Sequence, residues 1–228
     1  MTQLTDLMKI NPLNRFLKRL EERLLTTLND NPSADAPYHN NFHMKATWLL
    51  AKDVWDKEQE DVGLGDPTWG YVVLMFASLF HDWDHSAGKD SDHYNVLRAR
   101  EFVEELIDRY GFTLPEIVIK AIDDAIAVTE YPFVMHPKNK LEAVLRDADS
   151  LYATFMGNPA TIMDDLRAEM QVKFGNALTY QQMLDGQTEF MAKTSMFTKT
   201  AQAYWDEKAP IYLKALKEYA KERGTQSV

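Results

Sequence analysis

Apolar residues recur along most of the chain at steps of three and four, the interval at which side chains return to one face of a helix. Leu13, Phe16, Leu17, Leu20, Leu24 and Leu28 keep this step, which predicts an amphipathic helix over about residues 12–28, and the polar stretch from Asn29 to Pro37 ends it. The next helix is predicted over about residues 38–58, with Pro37 near its first turn and a stop before the Gly63-Leu64-Gly65-Asp66-Pro67 turn. Residues 69–80 are apolar on nearly every side, which predicts a buried helix ending in the segment His81 to His85. Further helices are predicted at about 92–110, 115–128, 138–155, 161–174, 180–193 and 197–223. No strand ladder, internal repeat or flexible linker is visible. The fold class is therefore all-α, a single helical domain with the helix over 12–28 packed on its core.

Composition narrows the chemistry more than the fold. At 228 residues and 45% hydrophobic, the chain can bury a full core. It has no cysteine, so a disulfide framework and a thiolate metal site are both excluded, and any metal must rest on His and carboxylate. Residues 1–9 lack the basic start and continuous apolar run of a signal peptide, and the longest apolar stretch, residues 71–80, is too short to cross a bilayer. The expected setting is cytoplasmic, without a membrane partner. A net charge of −10 argues against a broad nucleic-acid-binding surface. An anionic substrate would need local positive charge, and a bound metal is one source.

Four of the six histidines fall in two short clusters, Tyr38-His39-Asn40-Asn41-Phe42-His43 and His81-Asp82-Trp83-Asp84-His85. In each the two His are four apart, so on a helix they would share a face and address one pocket. A charged cluster directly after a long apolar run is costly to bury unless something pairs with it, and a metal is such a partner. Asp147-Ala148-Asp149 places two carboxylates inside an otherwise apolar helix. Imidazole and carboxylate without thiol suit zinc, iron or manganese, and carboxylate with water also admits magnesium. His93 and His136 stand alone and read as surface or supporting residues. Lys89 and Arg98, shortly after the second cluster, read as solvated charge.

The order His43, His81-Asp82 and a distant Asp in Ala148-Asp149-Ser150-Leu151 resembles the HD superfamily of metal-dependent phosphohydrolases. Within it, Tyr38-His39-Asn40 followed by His43, together with His81-Asp82-x-Asp84-His85, is similar to the cyclic nucleotide phosphodiesterases over about residues 38–90. The resemblance implies an HD-type helical bundle carrying one or two divalent ions (Zn, Mn, Mg or Fe). It makes His43, His81, Asp82 and Asp149 the metal ligands, with Asp82 bridging to a second ion. It makes His39 the general acid and His85 a supporting or solvent-positioning residue. Gln187 and Phe190, three apart on a predicted helix, are similar to the residues with which the phosphodiesterases hold a purine. The implied reaction is hydrolysis of a small-molecule phosphoester, a cyclic nucleotide phosphodiester first among them, by attack of a metal-bridging hydroxide.

Ser86-Ala87 stands where the phosphodiesterases carry Pro-Gly, and the gap from Asp82 to Asp149 is shorter than theirs, so the resemblance carries metal chemistry further than nucleotide specificity. A nucleotide phosphomonoesterase needs the same metal site. An HD-fold di-iron oxygenase would need extra His ligands, for which His93 and His136 remain, and a non-catalytic regulatory module would need none of the set.

Overall fold

The computed structural model describes residues 12–225; residues 1–9, read above for a signal peptide, lie outside them. The described chain is all-α, with no strand among its residues: α1 (Pro12–Thr27), α2 (Asn41–Glu58), α3 (Thr68–Phe80), α4 (Asp92–Tyr110), α5 (Glu116–Ala127), α6 (Lys140–Phe155), α7 (Pro159–Phe174), α8 (Tyr180–Lys193) and α9 (Lys199–Thr225). The apolar run becomes α3, in which every residue but Trp69 and Tyr71 is buried. Helices α2 and α6 pack against it and each other, α5 closes over α3 and α6, and α9 over α6 and α2. Gly70 lets α2 come this close, because a Cβ there would stand 2.5 Å from the Trp55 ring. Outside this centre α1 lies on α3, α4 on α5, and α7 and α8 on α9. The stripe on α1 is buried at Leu20 and Leu24, but Phe16 is exposed, so α1 meets the core through its second half. No described helix is long and apolar enough to cross a membrane.

Several boundaries differ from the periodic reading by a few residues, and two of these differences fall on the histidine clusters. Helix α2 begins at Asn41 because the Asn40 side chain accepts from the Phe42 and His43 amides, a strong N-terminal cap. His39 therefore precedes the helix. Helix α3 ends at Phe80, and His81 to Asp84 form a turn with Asp84 at φ 54°. Neither pair of histidines shares a helix face, so the spacing-of-four expectation fails in its geometry. The clusters reach one pocket because loops fold them inward.

The Asn29 to Pro37 segment does more than end a helix. Asn31 Oδ1 accepts from the Ser33 and Asp84 amides at 3.2 and 3.0 Å, and Ser33 Oγ accepts from the His85 amide at 3.1 Å. This clamp fixes the His81–His85 turn, as buried backbone groups require partners. Beyond it the chain passes through Ala87 at φ 51° and Gly88 at φ 91°. A Cβ at Gly88 would lie 2.4 Å from the Glu169 carbonyl oxygen, so glycine supplies both the left-handed backbone and the close approach to α7.

Candidate functional site

Helix α2 supplies His43, the C-terminus of α3 and the turn after it supply His81 and Asp82, and α6 supplies Asp149. Their donor atoms converge. His43 Nε2 lies 3.2 Å from His81 Nε2 and 3.1 Å from both Asp82 Oδ2 and Asp149 Oδ1. His81 Nε2 lies 3.1 Å from Asp82 Oδ2 and 3.5 Å from Asp149 Oδ1. Ligand atoms at about 2.0 to 2.2 Å from a four-coordinate ion stand roughly 3.4 Å apart, so the spacing of His43, His81 and Asp149 suits a divalent cation, and Asp82 reaches both imidazoles beside them. The imidazoles are 1% exposed, whereas the Asp149 side chain is 22% exposed and opens the group to solvent.

Hydrogen bonding at His81 agrees with the spacing. His81 Nδ1 lies 2.9 Å from the Ser78 carbonyl, to which it can only donate; that tautomer turns the Nε2 lone pair toward the carboxylates, as in metal-ligating histidines. The His43 ring meets Tyr152 edge-on at 4.4 Å, and its Nδ1 has no hydrogen-bond partner. Burial alone would depress His81, but Asp82 and Asp149 outweigh it and hold the ring well above its ordinary value. Burial alone would raise both carboxylates, but the histidines around them hold them well below theirs. The pocket demands positive charge, supplied by protons on imidazole or by a cation.

A second set, His39, His85 and Glu169, is also close enough to hold a metal, but its hydrogen bonds commit it to protons. Glu169, 2% exposed, accepts from the Tyr38 amide (2.8 Å) and the His39 amide (3.1 Å), and its Oε2 lies 2.6 Å from His39 Nδ1. His39 is stacked on His85 with ring centroids 3.8 Å apart. The Ala87 amide donates to His85 Nδ1 at 3.1 Å, so the Nε2 of neutral His85 carries the proton and faces Asp92 Oδ1 at 3.6 Å. Burial would lower His39, yet Asp82 and the Glu169 hydrogen bond raise it to about 9. Burial and the neighbouring His39 charge push His85 down. Two stacked imidazoles thus hold opposite protonation states, the pattern by which an acid is separated from its neighbour.

Glu169 and Asp92 were not among the residues singled out in the sequence. Glu169 did leave a signal: Ile162, Leu166 and Glu169 fall at helical spacing on the buried side of α7, and a carboxylate on such a stripe needs a partner. Asp147 differs from Asp149. It is fully buried, and its carboxylate accepts from the Phe197 amide at 2.9 Å and the Thr198 amide at 2.8 Å, anchoring the start of α9, while burial raises its pKa to about 6. Asp147→Ala is expected to cost about 1 to 3 kcal/mol in denaturant unfolding, the penalty for stranding buried amides, with metal content unchanged. Metal loss instead would make Asp147 a ligand.

Other candidates lie apart. Gln187 and Phe190 are partly buried on α8; Phe190 packs against Tyr131 and Phe133 at 5.8 and 6.3 Å, and no hydrogen bond, ion pair or ring contact joins either to the His–Asp group among the described residues. His93 pairs with Glu130, and His136 lies against Phe197. Arg98 is not merely solvated, since it holds the turn through the Asp84 carbonyl, Asp90 and Asn95. A cavity of about 400 Å³ opens at His85, bordered by Ser33, Asp84, Lys89 and Arg98. A groove of about 460 Å³ between α4 and α5 contains none of the site residues. No family model, curated protein or solved structure matches the chain.

Proposed function

We propose that the protein is a metal-dependent phosphohydrolase of HD type, acting on a small phosphoester, with a cyclic nucleotide phosphodiester as the favoured substrate class. One observation carries the reading: Asp82 and Asp149 each place a carboxylate oxygen 3.1–3.5 Å from the Nε2 atoms of both His43 and His81, beside a histidine whose pKa Asp82 and a buried glutamate raise to about 9. His43, His81, Asp82 and Asp149 would hold the ion. A divalent ion, when bound, lowers the pKa of water and neutralises developing phosphoryl charge. His39 delivers a proton to the leaving oxygen through Nε2, since Nδ1 is committed to Glu169, a step worth about 10²- to 10⁴-fold in rate. His85, stacked on His39, keeps that ring in one plane. Glu169 acts through His39, fixing both its orientation and its charge.

The test is metal analysis of purified protein, then a screen of cyclic nucleotides, nucleoside monophosphates and a nitrophenyl phosphodiester with and without chelator. Chelator-sensitive turnover supports the reading. Metal-free protein with no phosphoester turnover after addition of Zn, Mn, Mg or Fe would end it. Preference for monophosphates would make the protein a phosphomonoesterase with the same centre. The purine reading of Gln187 and Phe190 has its own measurement. Gln187→Ala should raise KM for a purine cyclic nucleotide by roughly ten- to a hundredfold, the loss expected when a hydrogen-bonding partner is removed, and leave a base-free diester unchanged. Equal effects on both substrates would refute base recognition.

A further inference from the structure

Arg146 sits on α6 one turn before Asp149, hence on the same side of the helix. It is 4% exposed. Among the described residues its polar contacts are the Val128 carbonyl, which accepts from Nη1, and the face of Phe133, 3.0 Å from the guanidinium carbon. No carboxylate pairs with it there. Asp147 and Asp149 are the acidic groups acting on it, but Asp147 is occupied by the Phe197 and Thr198 amides and Asp149 by His43 and His81. Burial lowers its pKa only to about 10, so it remains a cation at neutral pH.

A guanidinium has five N–H donors, and the Val128 carbonyl takes one. None of its nitrogens is both sealed from solvent and without a partner, so its remaining donors keep some solvent contact although the residue is 4% exposed. Burying a cation without an anion is costly. The Phe133 face offsets part of that cost and holds the guanidinium plane still. A fixed donor fork beside a metal-ligating carboxylate suits a tetrahedral oxyanion, which it can grip through two parallel hydrogen bonds.

We propose, resting on the metal-site reading above, that Arg146 binds the oxyanion of the substrate's phosphoryl group, and of released inorganic phosphate, beside the metal ligands. Helix α6 then presents the metal carboxylate and the anion-binding cation one turn apart, and an acidic protein obtains a fixed positive charge close to its metal ligands.

The experiment measures inorganic phosphate binding by calorimetry to metal-loaded wild type, Arg146→Gln, Arg146→Lys and His81→Ala, with metal content determined for each. The expected result is full metal content in both Arg146 variants and phosphate affinity weakened about ten- to a hundredfold in Arg146→Gln, with Arg146→Lys recovering part of the loss because it keeps the charge without the fork. A role confined to supporting Val128 would lower stability and leave phosphate affinity unchanged. Wild-type phosphate affinity in Arg146→Gln, with metal lost in His81→Ala, overturns the proposal and leaves the metal centre standing. Absence of metal from wild type overturns both. Should the Arg146 variants fail to fold, a crystal of the wild type soaked in inorganic phosphate decides: phosphate bonded to the guanidinium supports the proposal, and phosphate at the metal ligands without Arg146 refutes it.

Discussion

Alanine at His81 or Asp82 is expected to remove bound metal and reduce phosphoester turnover to background. His81 Nε2 lies within 3.5 Å of the donor atoms of His43, Asp82 and Asp149, and Asp82 Oδ2 lies 3.1 Å from both imidazoles. An ion that loses one of these ligands is held far more weakly. The stability readout separates metal loss from simple damage to the core. Metal present at a hundred times its Kd stabilises the folded state by about 2.7 kcal/mol, which in a chain of this size raises Tm by roughly 5 to 10 °C. Wild type should show this gap between metal-loaded and chelated protein, and the variants should not, whatever their own Tm. Variants that keep full metal content and turnover would remove the basis of the assignment.

His39→Ala should retain the metal and the fold while kcat falls by about a hundredfold or more. The loss should shrink on a nitrophenyl ester, whose leaving group needs little protonation; equal losses on good and poor leaving groups would exclude proton donation. The same pair gives a pH signature. His39 is raised to about 9 and must be protonated to act as an acid, so activity should decline as pH rises through about 9. Glu169→Gln removes the carboxylate that helps raise it, and the alkaline limb should move to lower pH with metal content intact. Stability follows the same groups. A histidine raised from 6.5 to about 9 stabilises the fold fully below about pH 6.5 and loses that contribution as pH rises through 9. Glu169, held down to about 2, contributes above about pH 4.5 and loses its contribution as pH falls through 2. The stability gap between wild type and Glu169→Gln should therefore be widest between pH 4.5 and 6.5. An alkaline limb unmoved by Glu169→Gln would mean that Glu169 does not set the charge of His39.

Much of this was legible in the sequence because helical periodicity and metal chemistry both leave short-range marks. The apolar run of α3 predicts a buried helix and forms one, and His81-Asp82 at its end marks a charged group at the core. What escaped was set by tertiary contact. Asn40 capping α2 turned Tyr38-His39 out of the helix, so a shared face was read where a loop stands. Asp147 and Asp149 are neighbours of one type, and only the approach of Phe197 and Thr198 tells an anchor from a ligand. Glu169 lies 130 residues from His39, and no local pattern joins them. Ala87 adopts φ 51°, a left-handed backbone that its residue type does not announce.

The candidate ligands rest on α2, the end of α3 and α6, near the centre of the bundle, whereas the glutamate bonded to His39 rests on α7, which lies outside that centre and packs mainly on α9. Peripheral helices open at lower free energy than central ones. Heating should therefore pass through a form in which α7 has come away, the ion is still held, and the proton donor has lost its orientation. Under the proposed function, inactivation should precede metal release, and cooling should restore turnover without reloading.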